Sequence, residues 1–174
     1  MSNLVKFWNA VVAEIDARID ALKEVRAYAN EFDEGDKGRL SIKTPGALVA
    51  VTGNGVTQKL SDGRLKLHVA VAVAVICEDR GKTVDTTAAS IAEAVVGIIH
   101  ENRFRVDGVA TARSDPDGIS IINYNSDKTL GRGLSVWGVG WEQAIIVGTA
   151  TSVEPPLPDV PNGGYQPADA TRPE

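Results

Sequence analysis

Arg64-Leu-Lys-Leu-His-Val-Ala-Val-Ala-Val-Ala-Val-Ile-Cys-Glu78 is the stretch whose reading decides the fold. Leu65, Leu67, Val69, Val71, Val73 and Val75 fall on one side of an extended chain. Lys66, His68, Ala70, Ala72, Ala74 and Ile76 fall on the other. Strict alternation with period two makes this a β-strand and excludes an amphipathic helix. The Leu/Val face is expected to lie under helices. The alanine face is small and flat, so another layer or another subunit can come close. At about 3.3 Å per residue the strand spans ~45 Å, far beyond the usual five or six residues. Such a strand either bends or extends past its own domain, and pairing with a neighbouring subunit is one way to protect its edge.

The flanks of this strand supply the remaining elements. Asp62-Gly63 before it is a turn signal. Upstream of the turn, Pro45-Gly46 opens a strand over Ala47-Leu-Val-Ala-Val-Thr52, followed by Gly53-Asn54-Gly55. These glycines are not a phosphate loop, because Val56-Thr57-Gln58 replaces the Gly-Lys-Ser/Thr that such a loop requires. Downstream, Val84-Asp85-Thr86-Thr87 opens a helix with Asp85 or Thr86 as N-cap. Ala88, Ile91, Val95, Ile98 and Ile99 form its apolar stripe, and it is expected to end near Glu101-Asn102. His100 in its last turn suits the helix dipole. A third strand region covers Val106 to Arg113 and Gly118 to Asn125, broken by Ser114-Asp115-Pro116-Asp117-Gly118. Asp115 and Asp117 read as turn residues rather than an acid/base pair. The last strand runs from Leu134 to Thr149, with Trp137, Val139, Trp141, Gln143, Ile145 and Val147 on one face. Trp137 and Trp141 anchor either the core or an interface, with the core preferred. Gly138 and Gly140 on the opposite face mark a bulge or a close backbone approach.

At the start of the chain, Leu4, Trp8, Val11, Ile15, Ile19 and Leu22 recur at steps of three and four. They predict a helix from about Asn3 to about Tyr28, capped by Ser2 or Asn3. Phe7 and Val12 widen its apolar side, and Glu14, Arg18, Lys23 and Arg26 line the opposite one. The acidic run from Asn30 to Thr44 reads as a solvated loop, because it lacks the ligand spacing of an EF-hand. The order is helix, strand, strand, helix, strand, strand. This is an α+β domain over residues 1–152, with a mainly antiparallel or mixed four-stranded sheet and helices on one face.

Composition bounds the chemistry. The 174 residues are 43% hydrophobic and 24% charged, with a net charge of −5, within the globular range. Six of the eight prolines lie between Pro155 and Pro173. Residues 153–174 are therefore expected to form an extended or disordered tail. This tail holds Glu154, Asp159, Asp169 and Glu174 against Arg172, so −3 of the charge belongs to it and −2 to the body. The acidity argues against a general nucleic-acid binder. Arg103, Arg105 and Arg113 with Phe104 form the one basic patch, interrupted by Glu101 and Asp107. One Cys and two His assemble neither a zinc site nor a Ser–His–Asp or Cys–His set, so no enzyme, cofactor or metal is expected. Cys77 reads as a small buried side chain. No signal peptide and no apolar run of spanning length is seen, and a soluble protein of a reducing cytoplasm is expected.

These elements resemble the small tail-terminator proteins of long-tailed bacteriophages, in particular the Mu-like contractile-tailed group. The residues that carry the resemblance are four stretches. They are the N-terminal helix with Leu4, Phe7, Val11, Ile15 and Ile19, the strand Leu65 to Ile76, the helix Thr86 to Ile99, and Leu134-Ser-Val-Trp-Gly-Val-Gly-Trp-Glu142. The likeness covers about Met1 to Ala150 and is one of pattern, size and element order. It implies a structural virion protein, assembled in the host cytoplasm, that forms a ring, usually a hexamer, on the head-proximal end of the tail tube. Such a ring ends tube polymerisation, holds the last sheath layer and presents a docking surface to head-completion proteins, and DNA passes through its lumen. Arg103, Arg105, Arg113, Lys128 and Arg132 are candidate lumen or interface residues. The other readings are a head–tail adaptor or a component of a phage-derived secretion or bacteriocin particle.

Overall fold

A computed structural model describes residues 2–29, 42–78, 83–100, 102–110, 118–126 and 133–150, without the side chains of residues 52–54, 56 and 57. The chain is α+β. Its order is α1 (Asn3–Arg18), β1 (Glu24–Ala27), β2 (Gly46–Lys59), β3 (Leu65–Glu78), α2 (Val84–Ile99), β4 (Ile119–Asn123) and β5 (Leu134–Val147). One mixed sheet has the strand order β1-β2-β3-β5-β4. Only the β1–β2 pairing is parallel.

The central strand follows its alternation. β3 pairs with β5 without interruption from Leu65↔Val147 to Glu78↔Leu134. Val69, Val71, Val73 and Val75 are all buried, and they join Phe7, Val11 and Ile15 of α1 and Ala88, Ile91, Ala92, Val95 and Ile99 of α2 in one core. Both helices therefore cover the Leu/Val face. Burying a Val or Ile side chain contributes roughly 1.5–3 kcal/mol, so this face dominates the hydrophobic stabilisation.

The opposite face divides in two. Leu48, Ala74, Ile76 and Val136 form a second small core with Tyr28, Ile42 and Leu134 packed against it. Ala70, Ala72 and Gly140 are only half-buried. The flat alanine surface is thus confined to one half of the strand. Gly138 is where the backbone comes close to another group, since a methyl there would overlap the Tyr124 ring. No bulge accompanies it, because the β3–β5 register is continuous there.

Several expectations are corrected. The first helix ends at Arg18, not near Tyr28. Ile19 N–H still donates to Ile15 O at 3.2 Å, but Lys23 N–H turns to Pro45 O at 2.7 Å and Glu24–Ala27 pairs with Gly46–Val49. Sheet pairing overrides the continued apolar spacing, and the sheet has five strands among the described residues rather than four. The strand after Pro45-Gly46 does not stop at Thr52. It runs to Lys59, absorbing the Gly53-Asn54-Gly55 region through register shifts between Gly53 and Val56 and between Val56 and Gln58. The third strand region keeps its expected break, but in place of a strand its first part, read as Val106 to Arg113, has among its described residues an isolated bridge from Val109 to Ile145, and its second part is the strand β4.

The caps and turns are local. Ser2 is the N-cap of α1, its Oγ accepting from Val5 N–H at 3.3 Å. Glu14 and Arg18 pair at 3.5 Å on the outer face. Thr83, rather than Asp85 or Thr86, is the N-cap of α2, and it makes no side-chain capping bond. At the Asp62-Gly63 turn, Leu60 N–H donates to Arg64 O at 2.8 Å and Gly63 has φ of 81°. The Arg64 guanidinium hydrogen-bonds the Asp62 carboxyl at 2.7 Å and holds it below the usual carboxylate range. Replacing Gly63 with alanine is expected to destabilise by about 1 kcal/mol, read from the urea midpoint, because an L-residue is strained at this φ.

Candidate functional site

The basic patch is built on the segment that leaves α2. Asn102 holds its start. Asn102 Nδ2 donates to Ile98 O at 3.0 Å, and its Oδ1 accepts from Phe104 N–H at 2.7 Å. Gln143 on β5 holds the same segment from the core side. It is 1% exposed, and its Nε2 donates to Asn102 O at 2.8 Å and to Ala110 O at 2.6 Å. Its Oε1 accepts from Trp141 Nε1–H at 3.0 Å. The carboxamide is therefore fully used, as a buried polar group requires.

Phe104 and Arg105 both adopt the left-handed region, with φ of 51° and 53°. For residues with a Cβ this costs roughly 1–2 kcal/mol each. Phe104 offsets the cost by burial. It is 4% exposed and contacts Phe7 edge-on at 5.7 Å and Trp141 in a stack at 6.5 Å. The result is a buried aromatic anchor with Arg103 and Arg105 exposed on either side. Neither arginine makes an ion pair with a described residue, and Asp107 lies exposed in the same segment. Arg103 and Arg105 are thus brought together. Arg113, Lys128 and Arg132 lie outside the described residues, as do Glu101, the acids Asp115 and Asp117, most of the acidic run 30–44 and the tail 153–174.

A second polar cluster escapes a reading by spacing. Asp85 in the first turn of α2 does not cap its helix. Its Oδ1 accepts from Trp137 Nε1–H at 2.7 Å, from Ser135 Oγ–H at 3.0 Å and from Asn125 Nδ2. Asn125 Oδ1 in turn accepts from Val136 N–H at 2.7 Å, where a regular ladder would supply the Tyr124 carbonyl. This cluster ties the start of α2 to β5 and ends β4. Its donors and acceptors are consumed within the fold, so it is a structural brace. The sequence signal that points to it is a Trp at a core-facing strand position, which needs an acceptor for its indole N–H.

The remaining reactive groups have structural surroundings. Cys77 is 2% exposed, and burial pushes its thiol up to about 11. A pKa above the unfolded value means that stability is full below about 9 and is lost as the pH rises towards 11. Cys77→Ala is expected to flatten this alkaline decline in urea titrations, and a thiol reagent at neutral pH is expected to react only after unfolding. His68 stands half-buried opposite Ala144 on the sheet face away from the helices, and His100 is the C-cap of α2. Among the described residues, no three His, Cys, Asp or Glu side chains are grouped to hold a metal, and no helix is long and apolar enough to cross a membrane. A shallow groove of about 440 Å³ between the end of α1 and α2 is lined by Ile19, Ile91, Thr86, Thr87 and Ser90. Three of its hydroxyls are turned back to the helix backbone, Thr86 and Thr87 to Thr83 O and Ser90 to Thr86 O. Comparison with protein-family models and with curated proteins finds no match in either.

Proposed function

We propose that the protein is a structural component of a phage or prophage tail, one that caps the head-proximal end of the tail tube as a ring. The ring ends tube polymerisation and offers the surface to which the head docks. The single observation that carries this reading is the size of the chain and the order helix, strand, strand, helix, strand, strand around the long strand Leu65–Glu78, in which it resembles tail terminators and to which the short strand β1 is an addition. The sheet geometry is compatible with it. Both helices lie on one face, and among the described residues the small side chain of Ala72 beside Gly140 gives the other face a flat stretch suited to close approach. A ring closes through head-to-tail contacts that return on themselves. Arg103 and Arg105, displayed by the buried Phe104, are the candidates for a lumen or tube contact, and DNA passes through the lumen. In a contractile tail the same ring holds the last sheath layer.

The test adds purified protein to growing tail tubes. Electron microscopy is expected to show rings on one end of the tubes and a fixed tube length. A single chain at every concentration, with tube growth unchanged, would overturn the reading. Particles lacking the protein distinguish the neighbouring role: tails of abnormal length fit a terminator, and normal tails that fail to join heads assign an adaptor. Arg103→Ala with Arg105→Ala is expected to weaken capping at least tenfold while leaving stability within about 0.5 kcal/mol, since both side chains are exposed.

A further inference from the structure

The two outer edges of the sheet are built differently. On one side β1 has four residues, two of them charged. Glu24 pairs with Arg26 at 3.5 Å and accepts from Lys43 N–H. Beyond β1, the outer edge of β2 runs through the two register shifts near Gly53 and Val56. Short length, charge and bulges are devices that keep an edge from pairing. The β4 edge is also short, at five residues, but it has neither charge nor bulge. Ile119-Ser-Ile-Ile-Asn123 carries no charge and no proline, its register with β5 is unbroken, and Ile121 and Ile122 are 46% and 43% exposed.

The register identifies the outward backbone groups. Tyr124 N–H donates to Val136 O, so 124 and 136 are a hydrogen-bonded pair, as are 122 with 138 and 120 with 140. Ile119, Ile121 and Asn123 therefore direct their N–H and C=O groups away from β5. No further strand lies on that side among the described residues.

We propose that β4 pairs with β4 of a second copy, antiparallel and centred on Ile121. A two-fold axis at Ile121 sets Ile119 opposite Asn123 of the other copy and Ile121 opposite itself. All three outward positions are then matched, giving six backbone hydrogen bonds. The strand is self-complementary in charge as well, because two neutral segments meet without like-charge contact in a protein whose net charge is −5. Among the described residues, the other sheet edge, charged and bulged, does not offer such a partner. One five-residue strand covers much less than the ~800 Å² per partner of a standard interface, so the dimer is concentration-dependent. The contact is two-fold, unlike the head-to-tail contacts of a ring, and does not depend on the capping reading.

The isolated full-length protein tests it. By light scattering, the wild-type mass is expected to rise from one chain near 1 μM towards two chains at hundreds of μM, and Ile121→Lys is expected to stay at one chain with an unchanged circular-dichroism spectrum. Ile121→Cys is expected to cross-link into a dimer with a short bismaleimide. Val5→Cys, at an exposed position of α1, is expected to cross-link at least tenfold less, and buried Cys77 does not compete. A wild-type protein that is one chain throughout, an Ile121→Lys variant that still dimerises, or equal cross-linking at both positions would overturn the proposal. Strand addition by a different protein would appear as the first of these. Tube capping is a separate readout, so either idea fails without the other.

Discussion

Phe104→Ala is expected to lower the unfolding free energy by about 3–4 kcal/mol, read from the urea midpoint. The ring is 4% exposed and sits between Phe7 and Trp141, so truncation leaves a cavity lined by two aromatics from α1 and β5. A further cost arises because the left-handed backbone at residues 104 and 105 is held by that burial. Without the ring, the strained conformation has lost its main compensation and the segment 102–108 relaxes. The relaxation should increase hydrogen exchange at Val106 N–H, which bonds to Arg103 O at 3.2 Å. Phe104→Leu keeps most of the apolar volume and is expected to cost about half as much. Arg105→Gly removes a Cβ from a φ of 53° and is expected to be neutral or to stabilise by up to ~1 kcal/mol. If the arginines contact the tail tube, Phe104→Ala should weaken capping through their placement, and Arg105→Gly through loss of charge at unchanged stability.

What could be read from the sequence follows from how many residues share one period. β3 and β5 alternate over 14 residues each, and α2 keeps its stripe over four turns, so pattern alone identifies them and the face they bury. β1 is different. Leu22 and Val25 stand three apart, which continues the helical spacing of α1, and only the parallel pairing with Gly46–Val49 converts those residues to a strand. Such pairing is a long-range fact with no local mark. β2 past Thr52 is hidden for the opposite reason, because Gly53-Asn54-Gly55 carries a turn composition that the strand accommodates by shifting register. At the candidate site, the exposure of Arg103 and Arg105 follows from their type, whereas the left-handed backbone at Phe104 does not, since aromatic residues rarely adopt it. Gln143 could have been flagged. It is a polar residue on a face otherwise made of Trp, Val and Ile, and such a position implies a fully bonded buried amide.

Asp85→Ala is expected to be as damaging as the loss of Phe104, at about 3 kcal/mol, and the comparison with Asp85→Asn separates its causes. One oxygen, Oδ1, takes the indole N–H of Trp137, the hydroxyl of Ser135 and the amide of Asn125. Alanine leaves these donors without their acceptor in a half-buried site, and a hydrogen bond to a charged group contributes roughly 1.5–3 kcal/mol. The effect also spreads. Asn125 freed from Asp85 holds Val136 N–H less firmly, so the end of β4 and the start of β5 should both exchange faster. For a chain of this size a loss of 3 kcal/mol corresponds to a fall in Tm of roughly 6–12 °C. Asparagine keeps a carbonyl oxygen that can accept the same donors, so Asp85→Asn is expected to cost only ~1 kcal/mol. Trp137→Phe removes the indole N–H donor while keeping an aromatic ring at the position. In a double-mutant cycle, Asp85→Ala and Trp137→Phe are expected to couple by at least 1 kcal/mol. Additive losses would mean that the carboxylate stabilises α2 through its helix dipole rather than by bracing the helix against β5.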